Sequence, residues 1–169
     1  MTVKDVIFKR RSVRKYKDLK VSDDKIQILL ECAMAAPSAC NKKPWFFYVV
    51  TKDEKLEELR KSSRYTDYKS PLNIIVCGDT SKSLSDQPND FWIQDASSAI
   101  ENILIEAVEL GLGTCWCGIF PMEIAEKNVR KILNLPENII PLGLIHIGYP
   151  DEEKEARTQY DESCVKYIK

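Results

Sequence analysis

Apolar positions along the chain change period several times, and each change marks an element. Val3, Val6 and Ile7 share one helical face behind a capping box formed by Thr2 and Asp5, which predicts a short helix over 3–9. A second helix is expected after Ser22. Asp23 and Asp24 suit its first turn, Ile26, Leu29, Leu30 and Ala33 make its buried face, and Pro37 stops it. Pro44 to Thr51 is short, aromatic and β-branched, so it reads as a strand. Thr51 and Glu54 then cap a compact helix over 53–62, and the apolar run Leu72 to Gly78 is a second strand. Residues 79–90 are polar and read as a loop, the best candidate for a mobile lid.

The strongest helical signal follows. Ile93, Ala96, Ile100, Ile103, Leu104 and Ala107 repeat at helical spacing over 91–110, with Gly111 placed to end the helix. Its apolar surface extends beyond one stripe and its Ala96 to Ala99 patch is small, which suits a central helix packed on both faces, by a second subunit among the candidates. Thr114 to Phe120 is a short apolar segment. Pro121 at N1 is expected to open a helix that buries Ile124, Val129, Ile132 and Leu133. Leu142 to Gly148 is apolar on both alternating faces, as a central strand covered on each side must be. From Asp151 the chain is mostly charged, yet it carries Tyr160, Val165, Tyr167 and Ile168, so it reads as a tail extended over a neighbouring surface.

With 169 residues the chain has the length of one domain, residues 1–169, and a separate cofactor module does not fit. The 25 Lys and Arg balance 26 Asp and Glu, which excludes a nucleic-acid binder held by bulk charge. No apolar run approaches the roughly 20 residues of a membrane span, and the start is too charged for a signal peptide, so a soluble, cytoplasmic protein is expected. In that setting the six cysteines read as thiols. Cys115 and Cys117 with the single His146 fall short of a zinc set, so no metal is expected.

Charge is nevertheless local. Seven bases lie between Lys9 and Lys20 against one acid, Asp18. Arg10, Arg11, Ser12 and Arg14 offer guanidinium forks and a hydroxyl to a phosphate or carboxylate, although the same run also reads as a solvated basic turn. Pro37, Ser38, Ala39 and Asn41 occupy a turn whose side chains could bond the polar edge of a flat heterocycle, or simply serve the local backbone. Cys115, Trp116, Cys117 and Gly118 could wall a ring system, or form a tight turn with a packed Trp. Neither G-x-G-x-x-G nor a P-loop occurs.

Taken in order, Arg10 to Tyr16, Ala36 to Trp45, Gly111 to Gly118 and Ile147 to Pro150 resemble the nitroreductase family of FMN-dependent oxidoreductases. The resemblance implies an α+β fold: a three-layer α/β/α sandwich with a mostly antiparallel central sheet. It also implies an intertwined homodimer with FMN at the interface, and a C-terminal tail (151–169) packed on the partner chain. It implies that Arg10 and Ser12 hold the FMN phosphate with Arg157 as a second clamp, that Arg11 is among the cofactor-binding residues, and that Arg14 faces the flavin pyrimidine edge. Pro37, Ser38, Ala39 and Asn41 would reach the flavin from the partner, while Cys115, Trp116, Cys117 and Gly118 run along the ring. Two positions depart from the family pattern: Glu155, where many relatives carry Lys, and Lys43, where Gln is usual.

The implied chemistry is transfer of hydride from NADH or NADPH to FMN and on to a small electron-poor acceptor, in ping-pong order, with the cofactor supplying the reactivity and no catalytic side chain required. Two other classes stay open at this level. One is a thiol redox protein using Cys115 or Cys117 with His146, for which no cation is placed beside Cys117 in the sequence; the other is a flavin-binding module without turnover.

Overall fold

The computed structural model describes residues 1–84 and 91–169. Five helices, α1 (Val3–Lys9), α2 (Asp23–Met34), α3 (Asp53–Arg60), α4 (Phe91–Glu109) and α5 (Glu123–Leu133), alternate with four strands, β1 (Trp45–Val50), β2 (Leu72–Asp79), β3 (Gly113–Gly118) and β4 (Ile139–Gly148). Single 3-10 turns lie at Ala39–Asn41 and Glu162–Cys164. The strands form one sheet in the order β1-β2-β4-β3, every neighbouring pair antiparallel.

Side-chain alternation divides the core in two. On one face Ile74, Val76, Ile145 and Ile147 pack against Leu29 and Ala33 of α2 and Ala96, Ile100 and Ile103 of α4. On the other, Ile75, Cys77 and Leu144 meet Leu59 of α3 and Ala125 and Val129 of α5. The sandwich therefore has the three expected layers; β2 is buried along its whole length and β4 at every position but Ile140, because helices cover both faces. The small patch of α4 serves its own chain: Ala96 and Ala99 are fully buried in the cluster that holds α2. Trp92 of the same helix lies against Gly78, edge-on to Phe120 at 5.1 Å.

Several expectations shift. The Thr2–Asp5 capping box is present. Thr51 is not the cap of α3, because Lys52 takes that place and offers no side-chain bond. Pro121 does not open α5. It follows Phe120 through a cis peptide, and the helix begins two residues later after Met122. That offset rotates the apolar stripe, leaving Ile124 78% exposed while Ala125 and Val129 go in. β4 starts at Ile139, three residues before the predicted Leu142. Of the predicted lid, 79–84 are described and are held locally by Asp79, which accepts from Ser81 and from Asn138 Nδ2 at 2.8 Å. Residues 85–90 lie outside the described part.

The tail also divides. Residues 151–157 lie on this chain's own N-terminal segment, and from Thr158 onward every residue is exposed, Tyr160, Tyr167 and Ile168 among them.

Candidate functional site

Between α1 and α2 the chain runs extended beside β3. Ser12 bridges Thr114 in parallel and Val13 N–H donates to Thr114 O at 2.8 Å. This approach needs Gly113, since a Cβ there would fall 2.8 Å from Val13 Cβ. The other side of the strip is bound by the C-terminal segment, antiparallel to it. Lys17 N–H donates to Tyr149 O, Asp151 N–H to Lys15 O, and Arg157 N–H to Phe8 O at 2.9 to 3.0 Å. Arg11 Nη1 donates to Glu155 O. Residues distant by some 140 positions thus bring Arg10, Ser12, Arg14 and Arg157 to one edge of the sheet.

Their environments differ. Arg10 is the C-cap of α1 and pairs with Glu101 at 3.8 Å. Arg11 turns the other way from Ser12, as alternation in an extended strip requires, and with Lys9, Val13 and Gly111 lines a separate hollow of about 280 Å³. Lys154, a candidate to replace the missing lysine at Glu155, is already engaged: its Nζ donates to Ser12 O at 2.5 Å and stands 3.2 Å from Glu152. The Arg14 guanidinium lies over the Tyr68 ring, 5.8 Å from its centre.

β3 is the edge strand. Because Thr114 turns its carbonyl outward to Val13, the two-residue alternation of the ladder turns the N–H groups of Trp116 and Gly118 to the same open edge, just past the end of the strip. Cys115 and Cys117 point into the face of His146 and Leu144, opposite which they pair. The Cys117 thiol donates to Tyr65 O at 3.0 Å. The adjacent Cys117, followed by the nearby Arg14 and Lys154 cations, lowers the Cys115 thiol below its ordinary value. The same contact, burial and the adjacent Cys115 charge push Cys117 up. A cation does stand beside these thiols, which the sequence alone did not place. They are nonetheless 3% and 6% exposed, and a reactive thiolate needs access. His146 is no base for them. Burial holds it down to about 4, its Nδ1 meets Ser70 Oγ at 2.8 Å, and its Nε2 has no partner.

Pro37, Ser38, Ala39 and Asn41 are elsewhere. Ala39 N–H donates to Asp95 Oδ1 at 2.8 Å, Ser98 Oγ–H donates to Pro37 O, and Lys43 N–H donates to Ser38 Oγ. Cys40, Asn41 and Lys43 have φ values of 48°, 55° and 51°, in the left-handed region that side chains avoid. This strained loop docks on the first turns of α4, whereas Val13 and Thr114 lie past its far end. Ser98 and Ala107 alone are roughly 14 Å apart at 1.5 Å per residue. One chain therefore assembles the strip, the β3 edge and Arg157, but not the 37–41 loop.

Tyr65, Tyr68 and Glu152 carry no sign in the sequence of their place beside the strip and β3, since their contacts depend on pairings that no local pattern announces. A cavity of about 810 Å³ lies behind Tyr68, between Tyr16, Lys20, Leu56 and Asn73, and contains none of the predicted site residues.

Arg10, Ser12 and Arg14 on a strip along a sheet edge, joined by Arg157 through its backbone bond to Phe8, are donors of the kind that suit a phosphate and the polar atoms of a flat ring. Comparison with known proteins specifies the class. The model of the Nitroreductase family matches residues 7–67 and 58–149. A protein of Archaeoglobus fulgidus, assigned by name to the NADH dehydrogenase/NAD(P)H nitroreductases, is 41% identical over 152 residues, covering 89% of this chain and 86% of its own. The FMN-dependent nitroreductase of Clostridium difficile R20291 superposes with a TM-score of 0.87 at 36% identity, covering 98% of each chain. A nitroreductase from Desulfovibrio desulfuricans, crystallised in complex with FMN, superposes with a TM-score of 0.83 at 25% identity over 100% of this chain and 98% of its own. The chain belongs to the nitroreductase family.

Proposed function

We propose that the protein is an FMN-dependent NAD(P)H oxidoreductase that reduces small electron-poor acceptors, such as nitroaromatics or quinones, in ping-pong order as a homodimer. The observation that carries this reading is the row of Arg10, Ser12, Arg14 and Arg157 created where the C-terminal segment pairs with the strip beside the open edge of β3. The donor set fits FMN. Two guanidinium groups and a hydroxyl suit a phosphate dianion, and a third guanidinium with edge N–H groups suits the oxygen and nitrogen atoms of a flat ring.

In this reading Arg10, Ser12 and Arg157 grip the phosphate, with Arg11 contributing through the backbone of the strip rather than through its own side chain. Arg14 faces the pyrimidine edge, and Trp116 and Gly118 offer their N–H groups along the ring beside Cys115 and Cys117. When bound, FMN supplies an acceptor for hydride from NADH or NADPH and a donor of two electrons to the second substrate. Arg14 favours negative charge on the ring. The 37–41 loop is too far from the strip of its own chain, so a second copy brings Pro37, Ser38, Ala39 and Asn41 to the site. The exposed 158–169 segment lies over that partner. The domain is thus one unit, 1–169, completed only as a pair.

Flavin-free protein is expected to take up one FMN per chain and to sediment as a species of about twice 19.4 kDa. Monomeric protein that binds one FMN per chain would remove the interface from this account.

A further inference from the structure

The acids after Pro150 have no role in the reading above, yet one of them meets the strip. Glu152 Oε1 accepts from Arg14 N–H at 2.6 Å and from Lys15 N–H at 3.3 Å, and Lys154 Nζ lies 3.2 Å from the same oxygen. Lys154 also donates to Ser12 O. Elsewhere the strip is held by backbone: Val13 N–H on Thr114, Lys15 O under Asp151 N–H, Lys17 N–H on Tyr149. At Arg14 no backbone partner is within reach, because the strip has left the β3 edge and the C-terminal segment presents a side chain there instead. Two successive amide donors converge on one carboxylate oxygen, an arrangement that fixes the chain direction at Arg14. The Arg14 amide bond, followed by Lys154, holds Glu152 below the usual carboxylate range, so the contact is intact at neutral pH and is lost only as pH falls through that lowered value.

We infer that Glu152 is a positioning residue: its carboxylate pins the Arg14 and Lys15 amides, and through them aims the Arg14 guanidinium at the cofactor crevice. The inference rests on the FMN reading for the identity of what Arg14 meets, but the pin itself is a property of the flavin-free chain. Glu153, one residue on, bonds neither amide, so it controls for charge.

The test measures amide exchange at Arg14 and Lys15 by NMR in flavin-free protein, and FMN affinity by fluorescence, for wild type, Glu152→Ala, Glu152→Gln and Glu153→Gln. Glu152→Ala is expected to lose protection at both amides and to weaken FMN binding tenfold or more, with its thermal midpoint close to wild type. Glu152→Gln keeps an acceptor oxygen, so protection persists and affinity falls by less than about threefold. It also carries the test if the alanine variant fails to fold, because a glutamine variant that loses both amides' protection and still binds FMN as wild type overturns the proposal. Glu153→Gln should match wild type in both measurements. Unchanged protection in Glu152→Ala, or lost protection with unchanged affinity, overturns the inference while leaving the FMN reading intact. Wild-type protein that shows the protected amides but binds no FMN defeats the FMN reading instead.

Discussion

Arg14→Ala should lower the rate of NAD(P)H-driven acceptor reduction by about a hundredfold, the scale on which removing one preorganised donor from a site of developing charge acts. Among the described residues the Arg14 guanidinium lies over the Tyr68 ring and beside the Cys115 and Cys117 thiols of β3, whereas Arg10 pairs with Glu101 and Arg11 lines the hollow beside Gly111. Its planar fork can meet two ring atoms at once, which an ammonium cannot, so Arg14→Lys should recover only part of the loss. FMN affinity should fall less than turnover, since the phosphate grip proposed for Arg10, Ser12 and Arg157 is untouched, and the flavin potential should move negative as the reduced, anionic ring loses its cation. An independent readout lies in the thiols. Arg14 helps hold the Cys115 pKa below its ordinary value, behind the larger effect of the neighbouring Cys117. Without Arg14 that value rises, and the ultraviolet thiolate absorbance of flavin-free protein should titrate at higher pH. Wild-type turnover in Arg14→Ala would remove Arg14 from the mechanism.

Gly78→Ala should be the most damaging single-methyl addition. A Cβ at Gly78 would overlap the Trp92 indole and lie 2.7 Å from its Cδ2, and that ring, 2% exposed and pinned by Phe120, has no free volume to move into. Overpacking of this kind costs about 3 kcal/mol, near the top of its usual range. For a chain of this length that is a fall of roughly 6 to 12 °C in thermal midpoint, compared at one protein concentration because the proposed dimer would add to stability. The damage should spread. Trp92 precedes Asp95 by one turn, and Asp95 holds the Ala39 amide, so the variant should also expose Cys40 and Asn41 to faster proteolysis. A melting curve within 1 to 2 °C of wild type would show that the indole can repack.

Those two positions show what could and could not be read from residues in order. The two-sided apolar run of β4 and the helical periodicity of six apolar residues in α4 announced the covered sheet and its central helix, because burial on both faces leaves a local mark. Pro121 misled because proline at N1 and proline before a helix look alike in sequence; the cis bond at Phe120 distinguishes them and has no sequence sign here. Arg10, Ser12 and Arg14 were conspicuous as charge, yet their grouping with Arg157 depends on antiparallel pairing across some 140 residues. Glu152 and Tyr68 were invisible for the same reason. The alternation of the extended strip sets the Arg11 side chain on the opposite side from Ser12, a placement that depends on the strip's pairing and has no local sign. The left-handed backbone at Cys40, Asn41 and Lys43 had no glycine to signal it.

Anaerobic titration of the FMN-loaded protein with NADH and then NADPH, followed by absorbance at about 450 nm, addresses the central reading most directly, since oxidised flavin absorbs there and the reduced form does not. Bleaching complete at one equivalent of either nucleotide per flavin, with colour restored by one equivalent of a quinone or nitroaromatic, is the expected result. A band that persists with both nucleotides would contradict the assignment as an oxidoreductase and leave a protein that binds flavin without using it.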